Sequence, residues 1–222
     1  MDWDALRLSL QTGIASTTLA FMVGIPIAWG LSRLRGWVHD LLSTAVLIPM
    51  VLPPTVLGYY LLVAVGRNSP LGEALETLFG FTFVFQWSGA ALAAFFVSAP
   101  FLIRTAQAGF ESVDHTLEDA ARTLGQTERT IFTRITLPLA WRSVMTGVSL
   151  AFARAIGEFG ATLMVAGSIP GRTRTMPIAI YEAVLTGRTN EAQVLALTLT
   201  LAASGLLVAV AFGMRRRSMR WG

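Results

Sequence analysis

Cysteine and lysine are both missing from this chain: all 17 basic residues are arginine. The first absence excludes disulfides, a thiolate nucleophile and cysteine-based metal sites. The second excludes a Walker A phosphate loop and a Schiff-base lysine. If ATP supplies energy, another chain must bind it. Charge is scarce as well: 14% of residues are Asp, Glu, Lys or Arg, against about 25% in soluble domains. The two histidines, His39 and His115, sit apart in charged connecting segments and suggest no metal site. Without clustered His or carboxylates in its apolar stretches, the chain offers little chemistry for an enzyme, and no catalytic residue is assigned. An isoelectric point near 10.6 invites a nucleic-acid reading, but the arginines follow the alternation of apolar runs and connecting segments instead.

What the chain has in excess is apolar length. Hydrophobic residues make up 54% and the mean hydropathy is +0.60. Four uncharged runs, Leu8–Ser32, Leu41–Gly66, Thr77–Ile103 and Ala192–Met214, each reach the roughly 20 residues that a bilayer crossing needs. A fifth, about Leu139–Gly167, carries Arg142 near its start and Arg154 and Glu158 inside. The pattern predicts an all-α polytopic membrane protein with five transmembrane helices, in a single domain over 1–222 whose core is about 8–214. No internal repeat or low-complexity linker interrupts it. The first run lacks a basic n-region and a convincing cleavage site, so it is expected to stay in the mature protein.

Arginine placement sets the orientation. Arg33 and Arg35, the loop Arg104–Arg142, and the tail Arg215, Arg216, Arg217 and Arg220 put 11 arginines on one side, against five (Arg7, Arg67, Arg172, Arg174, Arg188) on the other. The richer side is predicted to be cytoplasmic, with the N-terminus outside and the C-terminus inside. The external segment 168–190 has room for a short helix around Pro177–Leu185, too short to span.

Several residues stand out within and between these runs. Pro49, Pro53 and Pro54 interrupt the second run, which predicts either a bent, path-lining helix or a kink used for packing. Ala153, Gly157 and Ala161 recur at four-residue steps, a pattern that lets helices approach closely. Arg154 and Glu158 are i, i+4 neighbours that either pair or line a path. In the loop of about 109–138, Thr116 with Asp119 fits a capping box. Leu117, Ala120, Ala121 and Leu124 make one shallow apolar face, Gly125 suits a helix C′ position, Thr127 opens a second short helix, and Pro138 marks the turn into the next span. Two readings stand here: a small helix shaped to sit in a partner's groove, or an ordinary loop with two surface turns.

The order Asp119-Ala120-Ala121, three residues, Gly125, nine residues, Ile135-x-Leu137-Pro138 resembles the EAA loop of binding-protein-dependent ABC importer permeases of type I, the MetI-like fold. That family usually has Glu at the first position; here it is Asp119, preceded by Glu118. Gly157-Glu158-Phe159-Gly160-Ala161-Thr162, Ile169-Pro170-Gly171-Arg172-Thr173 and the segment from Pro49 through Pro53-Pro54-Thr55 to Tyr59 are similar to the molybdate branch, the ModB family, over about Leu8–Met214. Tungstate and sulfate or thiosulfate permeases are close relatives. The resemblance implies a homodimer in the cytoplasmic membrane that moves molybdate by alternating access. Two cytoplasmic ATPase subunits, carrying ATP and Mg, would dock through Glu118, Asp119, Ala120, Ala121, Leu124, Gly125, Ile135, Leu137 and Pro138. An external molybdate-binding protein would meet Arg172 and Arg174, which otherwise read as solvated loop arginines. Path candidates are Pro49, Pro53, Pro54, Thr55, Arg154, Glu158 and Thr162. No metal or cofactor is expected on this chain, and lipid is its remaining partner. The competing class, a secondary transporter driven by an ion gradient, calls for inverted repeats and a relay of buried ionisable groups; only the Arg154/Glu158 pair offers one.

Overall fold

In a computed structural model that describes residues 2–218, every regular element is helical. Helix α1 (Trp3–Arg33) is followed by α2 (Trp37–Ala45), α3 (Ile48–Val51), α4 (Pro54–Val65), α5 (Pro70–Phe79), α6 (Trp87–Glu111), α7 (His115–Thr123), α8 (Glu128–Ile131), a π-turn (Phe132–Thr136), α9 (Leu137–Leu139), α10 (Trp141–Ile156), α11 (Gly160–Ala166), α12 (Met176–Leu185) and α13 (Thr189–Ser218). Arg220 of the basic tail lies outside the described residues.

Among the described residues three helices are long and apolar enough to cross a bilayer: α1, α6 and the Thr189–Ala209 stretch of α13. A fourth crossing forms if the helical run Glu128–Leu139, bent by 74° against Trp141–Ile156, counts as one span. Of the five expected spans, three are continuous helices and the other two are divided into shorter helices. The second run is not one helix. It splits into α2, α3 and α4, and the break before α4 arises because a residue before proline is driven out of the helical region. Leu52 (ψ 137°) before Pro53, and Pro53 (ψ 135°) before Pro54, are both extended. The third span starts later than expected, at Trp87 instead of Thr77. Ser69 caps a separate helix α5, and Gly80 ends it in the left-handed region at φ 60°. Helix α6 then runs on past Arg104 to Glu111. The expected Leu139–Gly167 helix also breaks, at Gly157 to Phe159, into α10 and α11. The small-residue stripe consequently does not lie on one helix: Ala153 is on α10, Gly157 follows its end, and Ala161 is buried on α11. The short helix expected in the segment 168–190 is found at Met176–Leu185.

Helices α1, α6 and α10 form the main core. Ala20, Ala28, Ala99, Ala106 and Ala151 bring the backbones close around Leu102, Ile103, Phe110 and Val144. Where lipid is as apolar as leucine, such close van der Waals packing replaces water exclusion as the force holding helices together. A second cluster joins α4 (Leu57, Leu61), α6 (Ala93, Val97) and α11 (Ala161, Val165). A third fastens α12 and α13 to the start of α1 through Ala5, Met176, Ala179 and Leu195.

Candidate functional site

Two places concentrate polar geometry in this apolar chain: the loop between α6 and α10, and the point where the two broken spans meet.

In the loop, α7 begins two residues earlier than the sequence suggests, and Asp114 caps it in place of Thr116. Its Oδ1 accepts from the Thr116 amide at 2.9 Å, which holds the Asp114 carboxyl below its ordinary range. The expected capping box is absent; Asp119 instead pairs with Arg122 at 2.6 Å. The far end follows expectation. Gly125 adopts φ 76°, its amide donates to Arg122 O at 2.9 Å, and Gln126 donates to Ala121 O at 3.1 Å. These two bonds close a Schellman motif. Thr127 then opens α8, accepting from the Thr130 amide. Without an N–H, Pro138 cannot donate back into the preceding turn, and the chain there widens into the π-turn. Thr136 of that turn is buried, Ile135 and Leu137 are half-buried and Pro138 is exposed.

The expected apolar face of α7 divides in two. Leu117, Ala120 and Leu124 point to solvent, with Leu124 79% exposed, while Ala121 turns inward. Beside Ala121, Glu118 is 1% exposed. Its carboxylate accepts a two-pronged pair from Arg33, the last residue of α1, with Arg33 Nη2 at 2.7 Å from Oε1. Thr136 Oγ1 donates to the same Oε1 at 2.5 Å, and His115 and Arg122 flank it at 3.6 and 3.7 Å. Burial pushes this carboxyl up, but the Arg33 and Thr136 hydrogen bonds outweigh it and bring it down to about 2. The buried carboxylate of the loop is thus Glu118, and Asp119 is a surface group. Its partner Arg33 lies 85 residues away, beyond any spacing rule; the only hint in the sequence is an arginine ending an apolar run.

At the second place, the breaks before α4 and α11 touch. A Cβ built on Gly160 would sit 3.2 Å from Pro54 Cβ, and one on Gly58 would sit 2.8 Å from both Ala161 Cα and Met164 Cβ. Pro53, Pro54 and Thr55 are exposed at the turn and Pro49 is half-buried in α3. Glu158, 3% exposed, pairs with Arg154 at 2.8 Å and accepts from the Ala161 amide at 2.8 Å. It is therefore both an ion-pair partner and the cap that restarts the helix as α11. Thr162 is buried, and its hydroxyl lacks a hydrogen-bond partner among the described residues.

On the opposite side Arg172 is exposed. Arg174 is engaged: it bridges Asp2 at 2.6 Å and Glu182 at 3.3 Å, and Ser168 also donates to Glu182. Among the described residues no group of three His, Asp or Glu is placed to hold a metal ion.

Over residues 20–221 the chain matches the binding-protein-dependent transport system inner membrane component family. It belongs to that family. The molybdenum transport system permease protein ModB of Escherichia coli (strain K12) is 42% identical to this permease over 209 residues, 93% of this chain and 91% of that one. The protein of the same description from Mycobacterium tuberculosis is 41% identical over 211 residues, 95% of this chain and 78% of that one. Among solved structures, a bacterial ABC transporter that imports the acidic polysaccharide alginate superimposes with a TM-score of 0.77 over 96% of this chain and 78% of that one. At 15% identity this is a likeness of fold. The permease is a multi-pass membrane protein and a transport subunit. The stretch that resembles the EAA loop folds into α7, α8 and the π-turn.

Proposed function

We propose that this permease is the membrane subunit of an ATP-driven importer of molybdate, working as a homodimer with two cytoplasmic ATPase subunits and an external molybdate-binding protein. The observation that carries the mechanism is the divided face of α7. Leu117, Ala120 and Leu124 offer a shallow apolar surface outward, while Glu118 and Ala121 fasten the same helix to α1 and to the π-turn. A helix that is exposed on one side and latched on the other can receive a push from a soluble partner and pass it to the spans.

The anion assignment is supported by the molybdenum permeases that this chain resembles at 41–42% identity over nearly its whole length. ATP, with its Mg, is bound by the ATPase partner. When the ATPase subunits close, the α7 helices move together and the spans open outward; hydrolysis resets them. The moving parts in the membrane are the short helices α4 and α11. Each begins at a break in its span, and the two share close contacts at Gly58 and Gly160. Arg172 meets the binding protein, while Arg174 holds the external segment to the start of α1.

The test is uptake into proteoliposomes holding the permease with its ATPase and binding protein. Molybdate and tungstate drive transport, and sulfate does so only at far higher concentration. Saturable sulfate uptake in the molybdate concentration range reassigns the chain to the sulfate branch. Orientation is checked separately: a GFP fused at the C-terminus fluoresces, and a periplasmic enzyme fused after Asn68 is active.

A further inference from the structure

We propose that Arg104 is an oxyanion contact on the inner half of the transport path, a proposal that rests on the importer reading above. Along α6, Ala93 and Val97 lie on one face and are covered by Leu57 and Leu61 of α4 and by Ala161 and Val165 of α11. Steps of three and four residues carry the same face on to Pro100, Arg104 and Ala108. Helices α4 and α11 begin at their breaks and, in the orientation proposed above, run outward, so they cover the outer part of this face only. Further in, Arg104 and Ala108 are exposed. Arg104 stands seven residues inward of Val97 and seven short of the end of α6 at Glu111, which is about 10 Å from each.

The side chain is held in place, yet its charge is left unneutralised. Arg104 Nη1 donates to Gln107 Oε1 at 3.0 Å. Gln107 is 1% exposed, and the two N–H groups of its amide have three partners in reach: Ser43 Oγ at 3.0 Å, Glu111 Oε1 at 2.8 Å and His39 Nε2 at 2.9 Å. A buried amide so fully occupied holds the guanidinium in one direction. Arg154, another arginine within an apolar helix, is neutralised by Glu158, as Arg33 is by Glu118. Among the described residues no carboxylate lies within ion-pairing distance of Arg104. One of its five N–H donors is spent on a neutral oxygen, and the rest of the planar fork is open to a tetrahedral dianion. A single guanidinium at an exposed position binds such an anion weakly, which suits a point where cargo must leave.

Arg104→Gln, Arg104→Lys, Ala108→Glu and Ala108→Gln are compared in proteoliposomes containing the whole complex, with molybdate as the substrate. Arg104→Gln is expected to lower the maximal uptake rate about tenfold, the effect of losing charge-assisted hydrogen bonds. The KM, set by the binding protein, and the ATPase stimulation by loaded binding protein stay within twofold. Arg104→Lys recovers part of the rate. Ala108→Glu, which puts a carboxylate one turn inward on the same face, also slows uptake, whereas Ala108→Gln does not. Wild-type uptake at Arg104→Gln, or at Ala108→Glu, overturns the proposal and leaves the importer standing. So does a parallel loss of uptake and ATPase stimulation at Arg104→Gln, which makes Arg104 a structural residue. A wild-type complex that moves no molybdate sinks the importer reading itself, and this proposal with it.

Discussion

Replacing Glu118 by Gln tests the idea that a buried latch fastens α7 to the spans. The substitution keeps size and shape and removes only charge. In the native protein the carboxylate is 1% exposed and accepts from Arg33 and Thr136. Its pKa of about 2, against an ordinary 4.5, corresponds to about 3 kcal/mol in favour of the folded latch at neutral pH. The pKa is depressed, so this contribution is complete above pH 4.5 and is lost as pH falls towards about 2. Hydrogen exchange of the α7 amides, followed by mass spectrometry on the assembled transporter, reads the local opening free energy directly. At neutral pH the Glu118→Gln protein should exchange about 100-fold faster through α7, the equivalent of about 3 kcal/mol. Protection in α6 and α10 should be unchanged. Asp119→Asn, at a surface group with 68% of its side chain exposed, should alter exchange by no more than a few-fold. Equal α7 exchange in Glu118→Gln and wild type would falsify the latch.

Three further outcomes follow from the same geometry. At Gly125, φ is 76° and no atom lies within 4 Å of where a Cβ would stand, so the cost of a side chain is purely conformational. Gly125→Val should therefore lose about 1–2 kcal/mol and uncouple uptake from ATP hydrolysis in proteoliposomes, while Gly125→Asn is tolerated; normal uptake in the Val variant removes this turn from the mechanism. Gly58→Ala pushes a methyl to 2.8 Å from the Ala161 backbone, so it should separate α4 from α11 and abolish uptake without affecting membrane insertion; a fully active variant shows that these helices need not touch. Exchanging Arg154 and Glu158 should not restore function, because an arginine at 158 cannot accept from the Ala161 amide that Glu158 now caps; recovery of uptake in the double variant reduces the pair to simple charge neutralisation.

The sequence by itself determined the kind of protein and the ends of its parts. A bilayer tolerates no unpaired backbone, so the apolar runs had to be helices. The left-handed turn at Gly125 and the cap at Thr127 are local events whose energetics depend on neighbouring residues alone, and both appear where the pattern placed them. The interruption at Pro53-Pro54 was legible for the same reason, although how completely it divides the span was not. Tertiary structure decided the remainder. Hydropathy sees α10 and α11 as one run, because nothing in a window average records that Glu158 turns back to cap the Ala161 amide. It likewise placed the start of the third span too early, since Phe81–Phe85 are as apolar as a helix but close the chain between α5 and α6. Capping of α7 fell to Asp114 instead of Thr116, and Asp119, needed for the box, pairs with Arg122. Which of two adjacent carboxylates is the buried one depended on Arg33 and Thr136 arriving from distant elements to compensate its desolvation. Burial of charge is decided by partners, and partners 85 residues apart are brought together only by the packing of α1 against α6.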